Sequence, residues 1–452
     1  MLKKRLTISL CCIAGIVFCG SAQEVWTLEE CIRYAYDNNI QLKQQQLSVH
    51  QAENDLLQSK LNLLPSLNAS GSYSASKGKV LDQNTFTIIS GKTLYSAQGS
   101  IGANVNLFRG LEKKNTMDRN LYSLLASIEN VEKLKNELSI NIALYYLQIV
   151  HAQEQLAVVE NQLKLTMLQV NRTAALVDAG SLPEGDLYDI QSQAARDELQ
   201  IVTARNTLDI SRLNLAQLLD LETRTNFQVV IPDFSNLEIS DLLASVDDVF
   251  ATAETILPQV KAAEYNLKVT EKQLAIARGY RSPTLSLAGG YNTRYSSTAT
   301  RFDPVTQDEL NYPFWDQFKD GIGSYVTVGV SIPIFNGWQV NTNIKNSKLN
   351  VQNYQYQLEF TKNNLYKEIQ TAYADAMAAL KRYAAATKAV EFMEETFRYA
   401  EQRYEVGLMN FVDYSTTKTR HESAQSEMLQ AKFEYIFKTK VLDFYNGREI
   451  KI

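Results

Sequence analysis

The chain contains the same sequence pattern twice, and this duplication limits what it can fold into. Residues 174–205 read AALVDAGSLPEGDLYDIQSQAARDELQIVTAR, and residues 401–432 read EQRYEVGLMNFVDYSTTKTRHESAQSEMLQAK. A shift of 227 positions places Gly180 on Gly407 and Asp186 on Asp413. Two copies of about half the chain each predict one architecture with an internal tandem repeat, not two independent domains.

Each copy contains long helical patterns. Residues 111–177 and 339–406 contain neither Pro nor Gly, and runs of this length predict helices on the order of 100 Å long. Residues 187–221 and 414–445 predict shorter return helices. A first helical segment, residues 27–64, opens with a capping-box pattern and ends before a proline. Polar helices of this length must pack laterally along their whole length.

Each copy also contains two segments that alternate between apolar and small uncharged residues. They cover approximately residues 66–74, 99–108, 284–293 and 325–334. Their length suits tilted membrane strands, which need about 9–11 residues, although a soluble hairpin with one wet face has the same pattern. An open sheet edge cannot face lipid, and the smallest membrane barrels have about eight strands. If these strands cross a membrane, several chains must pool them.

The amino terminus predicts export. Residues 1–22 have the basic start, apolar run and small-residue cleavage site of a secretory signal peptide. The alternative is a lipoprotein with Cys19 as the lipidated residue, but the bulky Phe18 before it argues against this. Removal of the signal leaves Cys31 as the one remaining cysteine, so we expect no intrachain disulfide.

The chain lacks the sequence motifs of the common catalytic, metal-binding and phosphate-binding sites. The histidines, His50, His151 and His421, do not have metal-ligand spacing, and no phosphate-binding glycine loop or nucleophile elbow is present. The formal net charge of -5 disfavours nucleic acid as a partner. No segment after the signal approaches 18 consecutive apolar residues. We therefore expect no enzymatic activity, no metal, no cofactor and no transmembrane helix.

Over essentially its whole mature length the chain resembles the TolC-like outer-membrane efflux proteins, the outer-membrane factors of tripartite efflux and type I secretion systems. The resemblance rests on the order of duplicated features: a proline before each hairpin, a Phe-x-Gly motif after it, and a Gly-x5-Asp turn. In this chain they are Pro65 and Pro283, Phe108-Arg109-Gly110 and Phe335-Asn336-Gly337, and the turns at Gly180 and Gly407.

The resemblance implies a mainly α protein with a membrane β part. Three copies would form a twelve-stranded barrel in the outer membrane, with four strands per chain, and a hollow α-barrel through the periplasm. A periplasmic adaptor and an inner-membrane pump would dock at the helical tip. The protein would be a passive exit duct for small molecules or proteins. The expected segments are a first repeat at 23–225, a linker at 226–241, a second repeat at 242–447 and a tail at 448–452.

A different class of protein has the same helical patterns. The chain could be a periplasmic coiled-coil adaptor or structural protein whose hairpins pair with another protein's sheet. Such a protein would stay in solution without detergent, whereas a channel would be extracted from membranes as a trimer.

The resemblance also implies a closed aperture at the two helix turns, at Gly180 and Gly407. The family's ring of acidic residues falls on Asp413, and its second acidic position is Thr416 here. We therefore expect one acidic ring and a weaker cation block. The alternative role of Asp186 and Asp413 is to cap the helices that follow them.

A hydrogen bond between Tyr404 and Asp186 is the latch that the resemblance implies for the closed state. The arginine that the family carries in the second turn is Met409 here, so a charged latch at that position is missing. Interhelical packing is the alternative role of Tyr404.

Two polar segments, residues 75–98 and 295–321, would be extracellular loops. The second is rich in aromatic residues, which predict a lid or packing against a neighbouring loop. The residues that we expect to form it include Tyr312, Phe314, Trp315 and Phe318.

Overall fold

The computed structural model describes residues 25–82, 86–221, 227–232, 245–305 and 307–451. The predicted signal peptide and most of the predicted linker lie outside these ranges. The chain divides into two compact units. The first contains Met1–Leu42, Lys135–Thr252 and Glu368–Ile452, and the second contains Lys43–Leu134 and Ala253–Lys367. Each unit therefore takes residues from both copies of the repeat.

The described residues are mostly helical. The helices are α1 Leu28–Asn38, α2 Ile40–Leu61, α3 Glu112–Asp178, α4 Glu184–Leu218, α5 Val246–Ile256, α6 Pro258–Gly279, α7 Phe314–Asp320, α8 Gln339–Glu405 and α9 Phe411–Tyr445. The two longest, α3 and α8, have 67 residues each. At 1.5 Å per residue each is about 100 Å long. Their bounds agree to within one residue with the runs that lack Pro and Gly.

The segment predicted as one helix over 27–64 is two helices. The capping box is present: the amide of Glu30 donates to Thr27 Oγ1 at 3.2 Å, and the amide of Thr27 donates to Glu30 Oε2 at 2.9 Å. The break falls at Asn39, whose backbone is extended. Its side chain donates to the carbonyl of Leu218 and accepts from the amide of Leu42. These contacts stabilise a break that the helical pattern does not contain.

The strands are short except for those of one sheet. They are β1 Val25–Trp26, β2 Ser66–Lys77, β3 Val80–Leu81, β4 Ile88–Ile89, β5 Thr93–Arg109, β6 Gln228–Val229, β7 Thr284–Ser296, β8 Thr300–Phe302, β9 Glu309–Asn311 and β10 Gly323–Ser331. The strands β2, β5 and β7 extend beyond their predicted ranges.

The core of the first unit lies between helices from both copies. Fully buried side chains of α3, including Ile142 and Tyr146, pack with Leu215 of α4 and Phe433 of α9. The two-stranded parallel pair of β1 and β6 borders this core. The Tyr146 hydroxyl donates to the carbonyl of Val230 at 2.6 Å, so the residues next to β6 are tied to α3.

The second unit contains an antiparallel four-stranded sheet. The strand order is β10-β7-β5-β2, with a register shift in β5 between Asn106 and Phe108. Within the described residues, β2 and β10 each pair on one side only. The sheet therefore ends in two open edges.

The two faces of the sheet differ in chemistry. On β10 the side chains of Val326, Val328 and Val330 are 80%, 65% and 64% exposed. Elsewhere hydroxyl groups pair across β2 and β5: Ser70 with Ser100 at 2.7 Å and Ser74 with Ser96 at 2.8 Å. In the described part of the chain, no helix is both long enough and apolar enough to cross a membrane.

Candidate functional site

The two helix–helix turns have the same backbone structure. Gly180 and Gly407 have left-handed φ angles of 72° and 74°. In each turn the glycine amide donates three residues back, and the next amide donates five residues back, to Leu176 and Arg403 respectively. This is the Schellman termination, in which a residue without Cβ adopts the left-handed conformation at low cost. The repeat of the sequence is therefore also a repeat of the turn.

Asp413 lies in the first turn of α9 but does not cap it. The cap is Asn410, whose Oδ1 accepts from the amide of Asp413 at 2.9 Å. Asn410 Nδ2 donates in return to Asp413 Oδ2 at 2.9 Å. The capping role considered for both aspartates is wrong, because Asp413 and Asp186 are each the third residue of their helix and α4 has Pro183 at its cap position. In the single chain Asp413 is exposed, at a helix end whose dipole favours a carboxylate.

Tyr404 lies in an aromatic stack next to the second turn. Its ring is stacked on Tyr414, with a centroid distance of 4.6 Å and an interplanar angle of 14°. Burial is the main cause that raises the pKa of Tyr404, and the charge of Asp186 raises it further. The side chain of Thr173 interacts with its hydroxyl and lowers the pKa. In one chain, then, Asp186 acts on Tyr404 through its charge, and Thr173 acts on its hydroxyl.

An ion pair beside this contact was missed in the sequence. Arg172 Nη1 lies 2.6 Å from Glu405 Oε1, so α3 and α8 are joined at adjacent positions by an ion pair and by the Thr173–Tyr404 contact. A signal was available, because Glu405 is the last residue of α8 and the dipole disfavours an anion there unless it has a partner.

A buried charged cluster joins α3, α4 and α9 in the same unit. The side chains of Lys418 and Asp197 are 5% and 1% exposed, and Lys418 Nζ lies 3.2 Å from Asp197 Oδ2. Thr166 Oγ1 accepts from the ammonium at 2.5 Å and also contacts Asp197. Gln193 Nε2 donates to the other oxygen of Asp197 at 2.7 Å. The pair thus has the additional hydrogen bonds that a buried ion pair requires.

Glu422 adds a second carboxylate to this cluster. Its Oε1 lies 3.4 Å from Lys418 Nζ, one turn further along α9, without hydrogen-bond alignment. Burial raises the pKa of Glu422, Lys418 lowers it and Asp197 raises it. The sequence pattern did not predict Lys418, Asp197 or Glu422 as a cluster. The signal was a lysine on the buried stripe of α9, four residues after buried Tyr414.

The predicted loop aromatics cluster around α7. The Phe314 ring is within 5.1 Å, centroid to centroid, of the rings of Trp315, Phe318 and Tyr295. Tyr312 donates to Asp320 Oδ2 at 3.0 Å. Buried Gln317 anchors the helix, because it accepts from the amide of Ser296 and donates to its carbonyl. Trp315 stays 76% exposed.

No metal-binding group emerges from the described ranges. They contain no cluster of three or more His, Cys, Asp or Glu side chains that could hold an ion. Burial raises the pKa of the Cys31 thiol to about 12, which makes it a poor nucleophile or metal ligand.

Comparison with known families decides the classification. The sequence matches the family described as outer membrane efflux protein over residues 31–220 and 253–439. The chain belongs to this family. The match covers both copies of the repeat, so it agrees with the predicted TolC-like resemblance and confirms the predicted outer-membrane localisation with a long periplasmic portion.

Individual relatives extend over most of the chain. The outer membrane efflux protein BepC of Brucella suis biovar 1 is 21% identical over 451 residues, which cover 98% of this chain and 90% of BepC. The outer membrane protein TolC of Escherichia coli K12 is 24% identical over 307 residues, 66% of this chain and 59% of TolC. A crystal structure of CusC has a TM-score of 0.78 at 19% identity, with 93% and 92% of the two chains covered.

The structural likeness to CusC shows the fold, and the family match shows the class of protein. This member of the outer membrane efflux protein family is therefore an outer-membrane efflux channel, and both relatives named above are outer-membrane proteins.

Proposed function

We propose that this chain is the exit duct of a tripartite efflux pump or a type I secretion system and works as a homotrimer. In this proposal three copies pool twelve strands into a barrel in the outer membrane. The helices form a periplasmic tube to which a periplasmic adaptor and an inner-membrane pump dock. Transport through the duct is passive, because the pump supplies the energy.

The observation that carries the proposal is the sheet with two open edges. The outer strands β2 and β10 leave backbone amides and carbonyls unpaired within the described residues. In hydrocarbon each unpaired group costs several kcal/mol, so a membrane sheet must close on itself. Exposed valines on β10 and paired serines on β2 and β5 supply the apolar and polar faces that a barrel strand needs.

We further propose that Asp413 lines the closed aperture. Three symmetry-related carboxylates near one axis would attract cations and repel one another. Thr416, at the position of a second acidic ring, cannot add charge, and its hydroxyl donates to the carbonyl of Val412.

The test is single-channel recording in planar bilayers with a trivalent cation on each side in turn. Cation-selective openings blocked from one side support the duct. Asp413→Asn should weaken the block by about an order of magnitude, because it removes three charges from the trimer. The matched control is Glu391→Gln, an exposed acid on α8. Silent bilayers, together with protein that remains soluble without detergent, would instead indicate a periplasmic adaptor.

The latch is tested by the double variant Asp186→Ala, Tyr404→Phe. Loss of the hydroxyl also removes its interaction with Thr173, so the closed state should loosen and the open probability should rise. Tyr404→Phe alone should produce most of the effect if Thr173 is the partner that matters. Unchanged conductance and open probability in the double variant would rule out a latch at this position.

A further inference from the structure

A group of basic side chains lies at the junction between the sheet and the helices in the second unit. We call it the basic collar, and it consists of Arg109, Lys113, Lys114, Arg278, Arg281 and Lys345. The segments 105–116, 276–286 and 331–348 together contain Glu112 as their one acidic residue, although the chain as a whole has a formal net charge of -5. The local net charge is therefore positive, opposite in sign to the net charge of the whole chain.

Contacts in the structure bring the parts of this collar together. The Arg109 guanidinium, at the end of β5, lies 4.7 Å from the centre of the Tyr280 ring, just after α6. The Tyr280 hydroxyl donates to Glu112 at the start of α3. Arg281 donates to Asn341 in the first turn of α8. The ends of one strand and three helices thus meet, and their basic residues share one region of this unit.

The placement of the lysines has a cost. Lys113 and Lys114 lie in the first turn of α3, where the helix dipole favours anions and disfavours cations. Glu112 already contacts Arg109 and Tyr280, so its charge is shared. An anion bound at the collar would offset this repulsion.

Apolar side chains lie beside the collar in both copies. Leu111 and Trp338 are 60% and 59% exposed, and each follows a glycine with a left-handed backbone and has a left-handed φ itself. Phe335, two residues before Gly337, is 81% exposed. A group of basic side chains that borders exposed apolar and indole side chains has the chemistry of a lipid–water interface.

We propose that the basic collar binds the phosphate headgroups of anionic phospholipids, with Leu111 and Trp338 in contact with the acyl chains. The occupant that fits is phosphatidylglycerol, since it combines a phosphate charge with acyl chains, whereas free phosphate would leave the apolar border exposed. This inference rests on the proposed function in one respect, because the sheet must lie in the membrane for the collar to lie at its surface.

The experiment is native mass spectrometry of the detergent-purified full chain with equimolar phosphatidylglycerol and phosphatidylcholine of identical acyl chains. The wild type should retain phosphatidylglycerol preferentially, and the preference should fall with added salt because of screening. The triple variant Lys113→Gln, Lys114→Gln, Arg278→Gln should lose affinity by about five-fold for each charge removed at low salt.

The matched control is Lys381→Gln, Lys388→Gln, Arg420→Gln. It removes the same charges from exposed positions on α8 and α9 and should retain the wild-type preference. Millimolar inorganic phosphate should not displace the lipid. Single variants Lys113→Gln and Lys114→Gln, each with a smaller loss, keep the test valid if the triple variant does not fold.

Three results would overturn the inference: equal retention of both lipids by the wild type, equal losses in the two triple variants, or displacement by inorganic phosphate. Its failure is separate from failure of the proposed function. If the protein forms channels in neutral bilayers but shows no lipid preference, only the lipid-binding role of the basic collar is refuted. If the protein shows the lipid preference but forms no channel, only the proposed duct function is refuted.

Discussion

The buried pair of Lys418 and Asp197 gives the sharpest prediction about stability. Removing one partner leaves the other as an uncompensated charge in a site where the two side chains are 5% and 1% exposed. At the 3.2 Å separation of Nζ and Oδ2, an effective dielectric constant of 20 gives an attraction of about 5 kcal/mol. Measured losses on breaking such pairs are about 3–5 kcal/mol.

The two single variants should not be equivalent. Lys418→Met leaves two carboxylates, Asp197 and Glu422, without their shared cation. Asp197→Leu leaves Lys418 with Glu422 3.4 Å away. Lys418→Met should therefore be the more destabilising. The double variant removes both members of the pair and should recover part of the loss, because an apolar pair of similar volume avoids the desolvation of two ions, while Glu422 still lacks its cation.

The assay is thermal unfolding of the detergent-purified protein followed by circular dichroism. For a chain of this length a loss of about 3–5 kcal/mol lowers Tm by about 3–6 °C. The matched control is Arg205→Met, which breaks a surface pair with Glu160 of similar length, 3.1 Å, but 62% and 47% exposed. That loss should be at most about 1 kcal/mol. A Tm for Lys418→Met equal to that of the control, or a double variant as unstable as the sum of the singles, would refute the reasoning.

Three further predictions concern single positions. The raised pKa of Glu422 means that the folded state holds its proton more tightly than the unfolded state, so stability should fall as pH rises from about 4.5 through the raised pKa. In a series of Tm measurements at different pH values, Glu422→Gln should show a smaller decline than the wild type. Parallel curves for the two proteins would contradict this prediction. Thr27→Ala should cost about 1 kcal/mol through loss of the cap, measured by the same melts, whereas an unchanged Tm would mean that the capping box adds no stability. Gly110→Ala should prevent folding or lower Tm strongly, because the added Cβ would lie 2.4 Å from the carbonyl oxygen of Gly279 and because Gly110 has a left-handed φ of 54°. Gly185→Ala is the control and should be tolerated, because the space around Gly185 is open. Equal effects of the two glycine variants would contradict the clash.

The long helices were predictable because they depend on an uninterrupted local pattern. No Pro or Gly falls inside α3 or α8, and a glycine ends each of them in the left-handed conformation. The break at Asn39 depends on two side-chain hydrogen bonds, and only the bond from the amide of Leu42 is local. The other goes to Leu218, which is 179 positions away and cannot be read from the local pattern.

The strand ends were underestimated for a similar reason. The predicted strands stop where apolar alternation fades, near residues 74 and 99. In the structure the pairing of β2 with β5 continues to Lys77 and Thr93. Tyr73 stacks on Tyr95, and Ser74 bonds Ser96, so pairs across the ladder stabilise residues whose own sequence is polar. Cross-strand partners are not visible along one strand.

The candidate site also contains features that follow from local sequence and features that depend on distant partners. The turns at Gly180 and Gly407 follow from duplicated local signals, and their Schellman hydrogen bonds need no distant partner. The ion pair of Arg172 with Glu405 and the cluster around Lys418 depend on which helices become neighbours. The periodicity of apolar residues predicts which face of a helix is buried, but it does not predict which residue of a neighbouring helix packs against that face.

The duplication itself has a mechanical consequence. Backbone features recur in both copies, but the buried charges do not. The shift of 227 positions places Lys418 on Gln191 and Glu422 on Ala195, and Gln191 is exposed. The cluster therefore ties α9 to α3 and α4 without an equivalent tie in the first copy. In a symmetric trimer such a tie would occur three times, not six. Because each tie must break or move when α9 shifts against its neighbours, the two hairpins of each chain should differ in how easily they move.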